Sequence, residues 1–351
     1  MFDFFIPTLI DTIPAGPGGF FILLVIILVS LWLLGKGADM LVDEAVLLSE
    51  RWGVPEMIIG ATVVSLGTTL PEVTVSVMSA LNGAPGLAMG NAVGSIICDT
   101  GLILGVSALI RPLPFKKEVI NRQGWIQLGA GVLLVATAFI FGHGTASFTH
   151  GGRIPRFVGI IYLGLLVLYI MMTIRTGKQA GSDTNHEVTD LSVPADKMQD
   201  STIIILLKML FGMFLVVFSS KMLIPAVQEF AVRLHIPETI IAATLVAFGT
   251  SLPELMTGIT SARKGHGDLA IGNVMGADIL NVLIVVGASA AVTPGGLEVG
   301  VSFFRLLFPA MLFILCVFKC SVLFSNKFLK RPVGFVLLAA YVVVTVLSYL
   351  L

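Results

Sequence analysis

Residues 55–105 recur without a gap as residues 237–287, at a constant shift of 182, and 22 of the 51 aligned positions are identical. Shared greasiness does not select these matches. They include Pro55 with Pro237, Glu56 with Glu238, Gly67 and Thr68 with Gly249 and Thr250, and Gly90 and Asn91 with Gly272 and Asn273. The triplet Leu70, Pro71, Glu72 likewise returns as Leu252, Pro253, Glu254. Proline and carboxylate are the residues that an apolar helix tolerates least, so their repetition inside apolar runs constrains the fold more than any single pattern.

The solvent of those runs is lipid. Of 351 residues, 56% are apolar and only 42 are charged, 21 basic and 21 acidic, against roughly a quarter charged in a soluble domain. A single aqueous core stops growing near about 250 to 300 residues. Apolar stretches long enough to span a bilayer fall at about 20–49, 55–80, 86–109, 124–141, 157–175, 202–232, 237–262, 267–292, 299–319 and 333–350. The expected architecture is all-α, a polytopic membrane protein with ten transmembrane helices. Five lie in residues 1–175 and five in 202–351, joined by a polar cytoplasmic linker at 176–201. Because each half has an odd number of spans, the two homologous halves enter the membrane in opposite directions, as inverted repeats.

Placing the N-terminus outside puts 16 of the 21 Lys and Arg on the cytoplasmic side, so both termini are expected outside. A net charge of zero leaves no footprint for nucleic acid. Cys98, Cys316 and Cys320 build no disulfide framework or CxxC motif and are expected to pack as small apolar residues. No basic region precedes the first apolar run, so that segment is expected to be retained as an anchor.

The repeated chemistry lies in VVSLGTTLPE (Val63 to Glu72) and LVAFGTSLPE (Leu245 to Glu254), which place Glu72 and Glu254 near mid-membrane. Carboxylates there are costly and functional by default. Pro71 and Pro253 lack the N–H that would bond the carbonyls of Gly67 and Gly249, which kinks each helix and frees backbone oxygen. Carboxylate, hydroxyl and carbonyl are hard donors suited to calcium, sodium or magnesium. The five histidines fall near expected loops or segment ends, which disfavours zinc or copper. A second repeated pattern, GNAVGSIICD (Gly90 to Asp99) and GNVMGADILN (Gly272 to Asn281), carries GxxxG pairs for close packing and then Asp99 and Asn281, equivalent and oxygen-bearing. With Glu72 and Glu254, Asp99 makes three formal negatives, a charge that one calcium leaves unbalanced and three sodium ions would balance.

These two motifs resemble the paired alpha repeats of the cation/calcium antiporter superfamily, and most closely those of prokaryotic sodium/calcium exchangers; KGADMLVDEA (Lys36 to Ala45) resembles that family's long first helix. The resemblance implies alternating access to a central site, with the two long helices sliding across it. It implies that Glu72 and Glu254 are shared carboxylates, that Thr68, Thr69, Thr250 and Ser251 supply oxygens, and that the carbonyls of Ser65 and Ala247 complete sodium positions. Ser95, Asp99 and Asn281 would line the site from the third and eighth spans. Two departures stand out: the family's third-span Asn and eighth-span Asp are here exchanged as Asp99 and Asn281, and its eighth-span serine is Ala277, beside an additional Asp278.

The expected function is export of calcium in exchange for inward sodium, in an integral protein of a prokaryotic inner membrane. No cofactor or obligatory protein partner is expected beyond the two ions and the bilayer. A proton/calcium exchanger, or one for another divalent cation, on the same fold is the alternative. An intramembrane enzyme would need a catalytic constellation such as HExxH or a Ser/His pair, and none is visible. Fixed carboxylates and inverted repeats disfavour a passive channel. Lys221, equivalent to Asp39, is expected to snorkel, although a charge pair between the long helices is conceivable.

Overall fold

A computed structural model describes residues 10, 12–14, 16–182, 200–234, 249–325 and 327–350. Pro17 begins α1 (Pro17–Trp52), where its missing N–H costs nothing, and Gly53 ends it at φ 62°, a left-handed turn that side chains resist. After Pro55 the chain enters α2 (Glu56–Thr68), breaks at Thr69 and resumes 44° away as α3 (Leu70–Leu81). Then follow α4 (Pro85–Ile110), α5 (Lys117–Ile140) and α6 (Arg156–Ser182). The second half contributes α7 (Thr202–Arg233), α8 (Leu252–Lys264), α9 (Gly267–Val292), α10 (Phe303–Phe324) and α11 (Arg331–Leu350).

Eight of these helices are long and apolar enough to cross a membrane, and the bent pair α2/α3 makes a ninth. The tenth expected span, 237–262, is described only from residue 249, where α8 forms its second half. Helix α6 runs on to Ser182, past the end expected at 175. It is held there by Arg122, which donates to the Thr176 hydroxyl at 2.6 Å, and by Gly177 lying against Ile58. Most of the expected linker lies outside the described residues.

Two short strand pairs tie the halves together. β1 (Leu113–Pro114) pairs antiparallel with β4 (Phe328–Leu329), and β2 (Gly152–Ile154) with β3 (Leu297–Val299). A shift of 182 carries β1 close to β3 and β2 close to β4, so each clip is approximately the image of the other. In an inverted repeat the two clips fall on opposite membrane faces.

Burial separates a centre from a periphery. The most apolar window of α9 is 94% buried, whereas that of α1 is 22% buried and presents Phe21, Leu28 and Trp32 outward, as lipid requires. At 36 and 32 residues, α1 and α7 are about 54 and 48 Å long, so they cross an apolar layer of about 30 Å only by tilting. They pack along each other with backbones in contact where Gly37 meets Gly212. A methyl group on Gly37 would lie 2.9 Å from the Gly212 carbonyl oxygen. Asp39 of α1 pairs with Lys264 of α8 at 3.1 Å, and Asp43 pairs with the same ammonium at 2.8 Å.

Cys98 is buried as expected, but Cys316 and Cys320 are exposed on the outer face of α10. Their four-residue spacing puts them on one stripe, and that stripe is turned outward, away from the packed side that carries Ile314, Leu315 and Phe318.

Candidate ion-binding site

Four helical breaks converge on the centre of the molecule. Pro71 cannot donate to Gly67, so hydrogen bonding runs from Thr69 N–H to Ser65 C=O at 2.9 Å and resumes with Val73 N–H to Thr69 C=O at 3.1 Å. In the other half, Ser251 precedes α8 and its carbonyl accepts from Leu255 N–H at 3.0 Å. The other two are wide π-helical turns, at Asp99–Ile103 in α4 and Asn281–Val286 in α9, and further π turns lie at Gly60–Val64 in α2 and Phe303–Leu307 in α10. Asp99 and Asn281 are repeat equivalents, and each opens its turn. Such insertions are rare and cluster at functional sites, because they leave carbonyls loosely bonded and redirect side chains.

Glu72, Glu254, Asp99, Asn281, Thr68, Thr69, Ser251, Ser95 and Ser65 are all buried, none more than 3% exposed, and Thr250 is half-buried. Ala247 lies outside the described residues. The internal two-fold symmetry is visible in the contacts. Thr68 donates to Asn273 Oδ1 at 3.4 Å, and its equivalent Thr250 donates to Asn91 Oδ1 at 3.1 Å. Asn91 also donates to Ser76 Oγ at 2.9 Å and to the Glu72 carbonyl at 3.4 Å. These two asparagines belong to the site although they were not among the expected ligands; the repeated Gly-Asn pairs carried the signal.

Symmetry fails at the next contact. Ser251 Oγ meets Ser95 Oγ at 3.3 Å, but the equivalent partner of Thr69 is Ala277, and the Thr69 hydroxyl is buried without a hydrogen-bond partner. The Ser65 carbonyl, expected as a sodium ligand, already accepts from Thr69 N–H and, at 3.4 Å, from the Thr68 hydroxyl. What it has left for a cation is the lone pair engaged by that weak, shared contact.

The acidic oxygens are the informative atoms. Glu72 Oε2, both carboxylate oxygens of Glu254, Asp99 Oδ1 and Asn281 Oδ1 are buried with no hydrogen-bond donor. Acceptor atoms left bare in a dry interior are destabilising, by about 1 to 3 kcal/mol for each neutral group and more for each charged one, unless a cation takes the donor's place. The Thr68 and Thr69 side chains lie close enough to interact with the Glu254 carboxylate, and Ser251 with that of Asp99. The charges of Glu72, Asp99 and Glu254 reach one another, so they form one electrostatic unit. They do not form one coordination shell: among the described residues no three His, Cys, Asp or Glu side chains converge tightly enough to hold a metal by themselves. A cation here would be held by few carboxylates, completed by hydroxyl, amide and backbone oxygen, which is the donor set of hard ions.

Inverted halves that meet at broken helices, with bare intramembrane carboxylates between them, define a secondary transporter of cations. A sequence model of the family described as sodium/calcium exchanger protein matches residues 22–175 and 204–350, and the chain belongs to that family. It is 34% identical over 273 residues to the inner membrane protein YrbG of Escherichia coli strain K12, covering 78% of this chain and 81% of that one. It is 29% identical over 345 residues to the sodium/calcium exchanger MaX1 of Methanosarcina acetivorans, covering 92% and 97%. A solved structure of the sodium-calcium exchanger NCX_Mj, soaked with sodium and strontium, superposes with a TM-score of 0.76 at 25% identity, covering 92% of this chain and 98% of the other. The chain is thus an integral membrane antiporter of sodium and calcium and not an enzyme.

Proposed function

We propose that calcium binds between Glu72 and Glu254, is carried out of the cytoplasm, and is exchanged there for sodium that enters through the same site. One observation carries this assignment: the bare, buried oxygens of two repeat-equivalent glutamates, each one turn beyond a helix break. Two carboxylates balance one calcium, and Thr68, Thr69, Thr250, Ser251, Ser95, Asp99 and Asn281 offer oxygens toward the higher coordination number that calcium takes. Sodium, with half the charge, competes by occupying subsets of the same oxygens.

Asymmetry between the halves supports alternating access. Helix α1 packs against α8 and α2, whereas α7 makes no comparable packing against α3, where Leu70, Met78 and Leu81 are exposed. With both termini outside, as the distribution of Lys and Arg favours, the packed side is cytoplasmic and the open side external. The membrane concerned is the prokaryotic inner membrane, for which the likeness to an Escherichia coli inner membrane protein is the support.

The test is calcium uptake into proteoliposomes driven by an outward sodium gradient. Uptake falls to background in Glu72→Ala and in Glu254→Ala, and persists in the unmodified protein when the proton gradient is collapsed at fixed sodium. Unchanged uptake in either variant would overturn the assignment of the site.

A further inference from the structure

Calcium and the glutamates leave one intramembrane acid unused. Asp278 of α9 is 2% exposed and sits three residues before Asn281, on the same helical face. Its Oδ2 accepts from the Thr100 hydroxyl of α4 at 2.5 Å and from the Gln127 amide of α5 at 2.5 Å, and Gln127 also reaches Thr100 at 3.0 Å. Its Oδ1 is buried with no partner. No basic side chain is among its partners, and Lys319 of α10 is committed elsewhere: it donates to the Asn121 carbonyl at 2.7 Å and stands 4.6 Å over the Trp125 ring. An ionised carboxylate at this depth without a counter-charge costs several kcal/mol.

We propose that Asp278, Thr100 and Gln127 form a separate sodium site on the α4, α5 and α9 side of the calcium site. Three helices bring three hard-donor side chains to one point. The carboxylate and the Thr100 hydroxyl are oxygen donors as they stand, and a half-turn of the Gln127 amide presents its Oε1 in place of its nitrogen. The π turns that begin at Asp99 and Asn281 flank the cluster with loosely bonded carbonyls. One carboxylate balances one monovalent cation, and calcium prefers a richer anionic shell.

The site has no image in the other half. The equivalents of Asp278, Thr100 and Gln127 are Ile96, Val282 and Pro309. It is joined to the calcium site through Asp99, the neighbour of Thr100, whose charge is felt by Glu72 and which in turn feels both Glu254 and Asp278. A cation at Asp278 therefore changes the field at the central carboxylates, which couples the two occupancies. The proposal rests on sodium/calcium exchange at Glu72 and Glu254.

The experiment uses the full chain in proteoliposomes and reads calcium uptake against sodium concentration, with sodium-free calcium/calcium exchange as the control. Asp278→Asn lowers the Hill coefficient for sodium by about one and leaves calcium/calcium exchange within about twofold of the unmodified protein. Gln127→Ala, which removes only a neutral amide, raises the half-saturating sodium concentration by about three- to tenfold, with the same control preserved. If calcium/calcium exchange persists and the sodium dependence is unchanged in these variants, the second site is wrong while the central one stands. If the unmodified protein shows neither exchange, it is the central assignment that fails.

Discussion

Thr69 shows how far a single residue can be read. Its hydroxyl is buried and unpartnered, while the equivalent Ser251 is paired with Ser95, because position 277 carries alanine where position 95 carries serine. A buried hydroxyl that makes no full hydrogen bond costs stability rather than adding it, and the Thr69 side chain lies beside the Glu254 carboxylate, so its place is that of a ligand. Thr69→Val is expected to leave stability within about 0.5 kcal/mol and to raise the cation concentration for half-maximal transport several-fold. Thermal unfolding in detergent and uptake kinetics check the two halves of that expectation; a marked drop in melting temperature would mean that the hydroxyl is structural. Glu72 and Glu254 were legible in the sequence because a carboxylate inside an apolar run has almost no innocent explanation. Asn91 and Asn273 were equally visible in the repeat, but an amide beside a glycine in a GxxxG pattern is also what close packing produces. Gln127 was not legible, since it is one of several polar residues of α5 and its partners come from 27 and 151 positions away.

At the scale of elements, the span ends follow the sequence closely where a proline or glycine punctuates them, as at Pro17, Pro85 and Gly265. Helix α5 departs from the expected start at 124: it begins at Lys117, since residues 117–123, polar except for Val119 and Ile120, are helical and Gln123 is fully buried against Thr173 at 3.4 Å. The π turns were not legible, because one added residue in a turn leaves the apolar pattern nearly intact. The close approach of α2 and α9 was, since Gly272 and Gly276 lie against the Met57 and Ala61 backbones as the GxxxG spacing expects. At Gly90 and Gly94, the equivalent pair, an added methyl group would meet no atom of the described residues within 4 Å.

The same two helices are joined at one end by His266, just outside α9, whose Nδ1 lies 3.0 Å from Glu56 Oε1. The Glu56 carboxylate holds the imidazole above its ordinary pKa, with Asp43 adding to the effect and burial and Lys264 opposing it. A pKa raised by folding gives stability that is complete below the unfolded value of about 6.5 and is lost as pH climbs through the folded value. His266→Ala should therefore cost melting temperature at pH about 5.5 and cost little at pH about 9. An equal deficit at both pH values would exclude the ion pair as its cause.

The whole molecule is governed by one duplication. The nine spans among the described residues, with the bent α2/α3 pair counted as one, the two strand clips related by the repeat and the paired helix breaks all follow from a sequence that occurs twice. The duplication is imperfect at three places: Asp99 has Asn281 as its repeat equivalent, Ala277 no longer answers Ser95, and Asp278 stands where the other half has Ile96. The small charged fraction of the chain divides accordingly. Most basic residues lie outside the centre, and four acids, Glu72, Asp99, Glu254 and Asp278, lie buried within it. The central claim is that the bare glutamate oxygens are waiting for calcium. Anomalous X-ray scattering from crystals grown in calcium without sodium tests it most directly. A peak between Glu72 and Glu254 that disappears when sodium is raised is the predicted result; no peak there, or one that sodium leaves unchanged, would contradict it.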